Sequence, residues 1–437
     1  MIKSERIRIA DGVWLTFLPC DSFKSNYLIM HFISPLEEET AADGALFPRI
    51  LRCGCRAYSD ITAITQQTQM LYGASLGGYA ASKRGEMQIF TQSAWMLDNS
   101  VIPDGTDVFG GTLDLFEEIW FHTIAENNGF LPKFVETEKN ILCDSLRSRI
   151  NNKNIYAVMR ARQEMFAGER FGISESGELD TVQAVTPQSA YRMYQQVLRQ
   201  APCEIFCIGR GQADSIAARL SKMFGCINRE PLRMPKTDVV RRAAKVREVT
   251  EQQPANQSKL TLGFRTGTCE AEGSRPVTLM LNEIYGGSPL SKLFMDVREK
   301  RSLCYYCSSV PEQIKGVLFV NCGISADKKE ETQSEILAQL ELIRDGSITD
   351  IEMEAARKSL CSAMTQMQDE PESMAAWHFS RRLSGNDITV NEELEQIASV
   401  TKQQIADAAQ KISLDTVYFM EGTLSDGSAE EEYDDED

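Results

Sequence analysis

The sequence predicts an α+β fold of two homologous domains in tandem, each an antiparallel sheet with helices packed on one face. Three observations carry this prediction. One order of elements occurs twice along the chain, each copy runs from half-buried strands through amphipathic helices to a short apolar strand, and a stretch rich in charge and proline separates the copies. At 437 residues and 42% hydrophobic, the chain is long enough for two cores.

The first strand pair of the repeat is Ser25-Asn26-Tyr27-Leu28-Ile29-Met30-His31-Phe32 against Ser258-Lys259-Leu260-Thr261-Leu262-Gly263-Phe264-Arg265, both alternating as half-buried strands do. Leu71-Tyr72 and Cys304-Tyr305 follow at the same offset of roughly 233. Further on, Val135-Glu136-Thr137-Glu138 matches Ile351-Glu352-Met353-Glu354, and Val185-Thr186 matches Val400-Thr401, at an offset nearer roughly 215. The simplest reading is one insertion in the first copy, within the loop-like stretch 95–112. Closing strands are expected at Glu204–Ile208 and Thr416–Met420. Ile336, Leu340 and Ile343 recur at helical spacing before Gly346, and Thr349 with Glu352 forms a capping box for the next helix. The domains are therefore read as 1–228 and 257–426, joined by a linker at 229–256 that contains Pro231, Pro235 and Pro254. The remaining 427–437, with the run from Glu430 to Asp437, reads as a disordered acidic tail.

Bulk charge excludes some functions. The formal net charge of −17 opposes an extended contact with nucleic acid or an anionic membrane surface, both of which need clustered Lys and Arg. The first residues carry scattered charges and no apolar core, so they do not read as a signal peptide. No apolar run approaches the roughly 18–20 residues that span a bilayer. The twelve cysteines sit mostly in apolar stretches, as Cys203 and Cys207 do around Glu-Ile-Phe. That suits buried thiols in a reducing compartment, and the chain reads as cytoplasmic.

The second copy contains Gly286-Gly287-Ser288-Pro289-Leu290-Ser291-Lys292-Leu293-Phe294, then Val297-Arg298-Glu299-Lys300-Arg301-Ser302-Leu303-Cys304-Tyr305-Tyr306. This closely resembles the Gly-Gly, Ser-x-Leu-Phe, Arg-Glu-Lys and Gly-Leu-x-Tyr signature in the C-terminal half of the pitrilysin/insulinase superfamily of zinc peptidases. The duplicated plan matches that superfamily over nearly the whole chain, which implies two peptidase-like halves around a clam-shell chamber. In active members a helix near the start carries His-x-x-Glu-His, whose histidines share one helix face and grip zinc while the glutamate activates water. The resemblance places Leu46 and Ile50 at the histidine positions and Arg49 at the glutamate. Glu138 falls on a family glutamate, but Ser145 stands seven residues on, where the third ligand belongs, with Asp144 turned roughly a hundred degrees away. The zinc site is therefore expected to be lost, with no metal and no cofactor.

Other metal sites are weak from the sequence. His31, His122 and His378 show no ligand spacing; His122 has Glu118 and Glu126 four residues away but borders an apolar face. Cys304-Tyr305-Tyr306-Cys307 would put its thiols on opposite faces of a strand, and Cys53-Gly54-Cys55 has no companion pair.

Two residues are retained in this resemblance. Arg298 and Tyr305 match the superfamily's Arg/Tyr pair, which contacts substrate and the tetrahedral intermediate; a guanidinium and a phenol suit a developing oxyanion. Without the resemblance they read as a solvated helix residue and a strand aromatic. Some members split the labour between a zinc-bearing subunit and a partner with the Arg/Tyr pair. The chain resembles that second kind, and in particular a bacterial branch, the YfmF-type proteins, through Leu71-Tyr72-Gly73-Ala74-Ser75-Leu76. The implied partner is a zinc-bearing homologous peptidase subunit, the implied substrate a peptide or protein. The branch is associated with 5-aminopentanol modification of elongation factor P. A peptide-binding or scaffolding protein with no role in catalysis is the alternative; an independent hydrolase would have to reveal itself by metal content and peptide cleavage.

Overall fold

A computed structural model describes residues 4–424, so the acidic run Glu430–Asp437 lies outside the described residues. In chain order the first copy contains β1 (Glu5–Ala10), β2 (Val13–Pro19), β3 (Ser25–Pro35), α1 (Glu38–Leu51), α2 (Ile61–Met70), β4 (Ser75–Gly77), β5 (Ala81–Arg84) and β6 (Met87–Leu97). It continues with α3 (Val108–Phe121), β7 (Ala125–Glu126), β8 (Gly129–Phe130), α4 (Pro132–Ser148), α5 (Lys153–Met165), α6 (Leu179–Ala184), α7 (Pro187–Gln200), β9 (Cys203–Gly209) and α8 (Ala213–Phe224). The second copy has β10 (Arg247–Gln253), β11 (Ser258–Arg265), α9 (Arg275–Asn282), β12 (Tyr306–Glu312) and β13 (Val317–Ile324). It closes with α10 (Lys329–Arg344), α11 (Asp350–Met367), α12 (Pro371–Ser384), α13 (Val390–Ser399), α14 (Lys402–Lys411) and β14 (Ser413–Gly422).

The two main sheets share one strand order, β2-β9-β3-β6-β4 with β1 outside β2, and β10-β14-β11-β13-β12. The repeat anchors fall in matching places: β3 with β11, α4 with α11, and β9 with β14. Thr186 and Thr401 each cap the following helix through a reciprocal box, with Ser189 and Gln404. The sheets are not purely antiparallel as expected. β2 pairs with β9, and β10 with β14, in parallel. In each copy the last strand inserts between two strands that run in opposite directions, so it must lie parallel to one of them.

Three further expectations change. The stretch 229–256 is not only a linker, because Arg247–Gln253 forms β10. This strand lies at a sheet edge and is polar except for Val249, which hides it from a hydropathy reading. The extra length of the first copy is not one insertion at 95–112. It is spread over the β4/β5 strands, the segment 98–107 and the β7–β8 hairpin, while α3 already begins at Val108. Finally, helices do not cover one sheet face alone.

The reason is an exchange of segments. One compact unit comprises the chain up to Arg147, Ile173–Thr237 and Met367–Leu383; the other comprises Ser148–Gly172, Asp238–Gln366 and the chain from Ser384. Thus α5 belongs with the second sheet and most of α12 with the first. In the first unit, Leu28, Met30 and Phe32 of β3 face the larger core with α1, α3 and α7. The alternate residues Tyr27, Ile29 and Ile33 face a second cluster with Met374, Ala375 and Phe379 of α12. In the second unit, Val417 and Phe419 of β14 enter the main core, whereas Tyr418 and Met420 meet Ala157 and Ala161 of α5. These alanines let α5 lie close to the strands. Glu251 of β10 then fastens it, accepting hydrogen bonds from Tyr156 Oη at 2.6 Å, Arg160 Nε at 3.1 Å and Tyr418 Oη at 2.9 Å. Burial pushes the Glu251 carboxyl up, but these donors prevail and hold it at about 2.

Candidate functional site

Helix α1 carries Leu46, Arg49 and Ile50, the residues that the resemblance sets against the zinc motif. Glu38 and Glu39 occupy its first turn, where carboxylates favour the helix dipole. Gly44 lets it press on the sheet, since a Cβ there would stand 2.4 Å from Gln88 Oε1, and Gln88 Nε2 donates to Ala41 O at 2.9 Å. Leu46 and Ile50 face inward, 0% and 1% exposed, in the main core. Neither can bind a metal, and their burial gives the structural reason these positions are apolar.

Arg49 turns from that core toward Glu138 on α4, which is 3% exposed. Arg49 Nη1 stands 4.0 Å from Glu138 Oε2, while Arg52 Nη2 lies 3.2 Å from Oε1 and 3.3 Å from Oε2. Cys53 Sγ also approaches Oε1, at 3.4 Å. Burial, reinforced by the Glu138 charge, pushes the Cys53 thiol up to about 12, so it remains protonated at neutral pH. Ser145, two turns beyond Glu138, is exposed at the end of α4, as is Asp144, which pairs with Arg147. Zinc does not fit this set: two apolar groups and two guanidiniums surround a single carboxylate already engaged by Arg52. Among the described residues no group of three or more His, Cys, Asp or Glu could hold a metal. Glu138 was named from the sequence, but Arg52 and its pairing with that carboxylate were missed; the signal was a second arginine three residues after Arg49 on the same helix.

The same corner opens into a cavity of about 570 Å³ bordered by Arg49, Arg52, α2 and β4. Asp60 starts α2 by accepting from Ala63 N, and Tyr72 and Gly73 take left-handed conformations, with φ of 57° and 73°, to turn the chain into β4. Leu71–Leu76, the segment behind the branch resemblance, therefore supplies part of the cavity wall through Ala74, Ser75 and Leu76.

In the second unit the Gly-Gly signature is explained by close packing. A Cβ on Gly286 would lie 2.7 Å from Ser309 Oγ and 2.8 Å from Ser309 N on β12. Buried Lys292 pairs with Glu352 at 2.8 Å, and Glu352 also caps α11 through Thr349. Gly286→Ala is expected to destabilise the chain by about 1–3 kcal/mol through overpacking, read as a lower urea midpoint. An unchanged midpoint would show that β12 yields freely.

Arg298 lies in a π-helical segment, Leu293–Lys300, and is 40% exposed in its side chain. Its Cζ sits 4.7 Å above the Phe294 ring, and Nε is 3.7 Å from Glu299 Oε1. Tyr305 precedes β12 and is 64% exposed; its backbone N donates to Gly323 O at 2.9 Å, and its phenol has no hydrogen bond among the described residues. Both residues thus present polar groups outward. The neighbouring thiols correct one expectation: Cys304 and Cys307 do not face apart, because the strand begins only at Tyr306, and their thiols are hydrogen-bonded. Cys307 Sγ is also 3.0 Å from Cys322 Sγ across β12 and β13. His122 faces Glu117, at 3.9 Å, rather than Glu118 or Glu126. No helix among the described residues is long and apolar enough to cross a membrane.

Comparison with known proteins agrees with this geometry. Residues 184–360 match the family described as the peptidase M16 inactive domain. The chain is 26% identical to the Probable inactive metalloprotease YmfF of Bacillus subtilis over 94% of its own length and 96% of that protein's. A conserved protein from Enterococcus faecalis superposes with a TM-score of 0.87 at 25% identity, covering 96% of this chain and 99% of that one. A peptidase M16 inactive domain from Pseudomonas fluorescens shares the fold, with a TM-score of 0.80 at 17% identity over 97% and 99% of the two chains. With the repeated sheets, these matches make the chain peptidase M16-like: similar to the inactive-domain family over residues 184–360, and to an inactive metalloprotease homologue and M16-like structures over nearly its whole length.

Proposed function

We propose that the chain is a non-catalytic subunit that pairs with a zinc-bearing homologue and supplies Arg298 and Tyr305 to a shared peptidase site. One contrast carries this reading. The metal-binding chemistry is replaced throughout α1 and α4, whereas Tyr305 keeps an exposed phenol without a hydrogen bond among the described residues and Arg298 a half-exposed guanidinium. Such donors act on a peptide only when a nucleophile is supplied from elsewhere, which is the role of the zinc-bearing partner. The cytoplasm is the compartment that suits the twelve free cysteines. Service in elongation factor P modification rests on the branch resemblance alone.

Tyr305→Phe tests the reading. Reconstituted with its partner, the variant should assemble normally on size exclusion while peptidase activity falls about a hundredfold, the scale of losing one oxyanion donor. Undiminished activity would remove Tyr305 from the shared site. A peptide-binding or scaffolding protein without catalysis is the second reading, favoured by the cavity beside α1. Copurification from the native cell separates the two, since a main partner without a zinc motif supports the second.

A further inference from the structure

We infer that the cavity beside α1 and α2 is a carboxylate-recognition site, and that it takes the anionic group of an acidic peptide at the place where active relatives hold a cation. The charge at its floor is unbalanced. Arg49 and Arg52 share one carboxylate, Glu138, and Arg52 reaches it through a single nitrogen, Nη2. Arg52 Nε is buried without a partner. The Arg49 guanidinium makes only the 4.0 Å ion pair and no hydrogen bond among the described residues, although the side chain is just 22% exposed. A guanidinium carries five N–H donors in a fixed fork, so most of the donors at this corner are uncommitted.

Burial raises the cost of that state. Desolvation depresses the Arg49 pKa, Glu138 opposes it, and the neighbouring Arg52 charge adds to it. A partly desolvated cation pair with one shared anion gains from a second anion more than an exposed arginine would. No Asp or Glu among the described residues borders the cavity, even though the chain carries a net charge of −17. Positive potential here is thus a local feature.

The remaining wall indicates which anion fits. Thr65, Thr68 and Ser75 add hydroxyls, while Ile61, Ile64 and Leu76 add apolar surface. That mixture suits a carboxylate on an aliphatic stem better than a small, fully hydrated ion, and a cavity of about 570 Å³ admits one side chain with its flanking backbone. The carboxylate can come from an acidic side chain or from a peptide C-terminus.

Fluorescence anisotropy on the isolated full chain distinguishes these sources. Three labelled peptides are compared: one with a single glutamate and an amidated end, its glutamine counterpart with an amidated end, and that counterpart with a free C-terminus. At least one carboxylate-bearing peptide should bind about tenfold or more tightly than the neutral one, and the tighter one names the source. Arg49→Gln should erase the preference with an unchanged circular dichroism spectrum. Thr65→Glu, on the exposed side of α2, should erase it as well by placing a carboxylate at the cavity, which keeps the test available if the arginine variant folds poorly. Equal binding of all three peptides, or a preference that survives Thr65→Glu, would overturn the assignment. Because the assay reads binding by the chain alone, its outcome is separate from that of the Tyr305 experiment.

Discussion

Arg265→Met is expected to destabilise the second unit by about 3–5 kcal/mol, the scale of removing one partner from a buried ionic cluster. Arg265, 2% exposed on β11, donates from Nε to Asp415 Oδ2 at 2.7 Å and from Nη2 to Glu169 Oε1 at 2.6 Å. Lys315, fully buried, reaches Glu169 Oε2 at 2.8 Å. Burial pushes the Glu169 carboxyl up, yet the hydrogen bonds from Arg265 and Lys315 hold it below the usual carboxylate range. Methionine leaves Asp415 without this partner and Glu169 with one cation instead of two. Because Glu169 lies on the exchanged segment and Arg265 and Asp415 on the sheet, the damage should appear first as faster hydrogen exchange in 148–172 and β11. Wild-type exchange there, with an unaltered urea transition, would mean that the hydrophobic packing of α5 suffices without the cluster.

Acid should weaken the first unit well above the pH at which carboxylates protonate. His31 of β3 is buried between the sheet and α12, stacked on Phe379 with ring centroids 4.0 Å apart, and its Nδ1 lies 2.9 Å from Thr91 Oγ1. Burial, with Arg84 acting in the same direction, lowers its pKa from 6.5 to about 3. Glu204 stands opposite on β9 but is bound by Arg6 at 2.7 and 2.8 Å. The unfolded chain therefore takes up a proton below about pH 6.5 that the folded chain refuses, and stability falls as the pH drops from there toward 3. At pH 5 the loss from this group is about 2 kcal/mol. The loss of Glu251's contribution belongs to a lower window, below its ordinary value of 4.5. His31→Gln, which cannot titrate, should lose correspondingly less stability between pH 7 and pH 5 in urea unfolding. Equal losses in the two proteins would show that His31 protonates in the folded state.

Much of the fold was legible because its signals are local. The strands at Ser25–Phe32 and Ser258–Arg265, buried on both faces rather than half-buried as expected, and the threonine caps at Thr186, Thr349 and Thr401 depend on residues within a turn or a strand of one another. Their repetition then exposed the duplication without any tertiary information. Edge strand β10 escaped because one sheet neighbour and a solvated face leave little hydrophobic pattern. The facing thiols of Cys304 and Cys307 escaped because the answer turned on where a strand begins, a boundary that sequence patterns place poorly.

At the candidate site the division is similar. The apolar residues at positions 46 and 50, Arg49 between them, and Arg298 with Tyr305 are properties of the sequence by itself, as are the duplicated α+β plan and the expected loss of zinc chemistry. Tertiary structure decided that α5 and α12 trade sheets, since either amphipathic helix could have covered either apolar face and only long-range partners such as Glu251 and Phe206 distinguish them. It also decided that Arg49 and Arg52 converge on Glu138, a contact across 86 residues of chain in the case of Arg52, and that a cavity opens beside them. Residue identity alone shows that α1 offers no metal ligand at positions 46, 49 and 50, but only packing determines which charges meet at that corner.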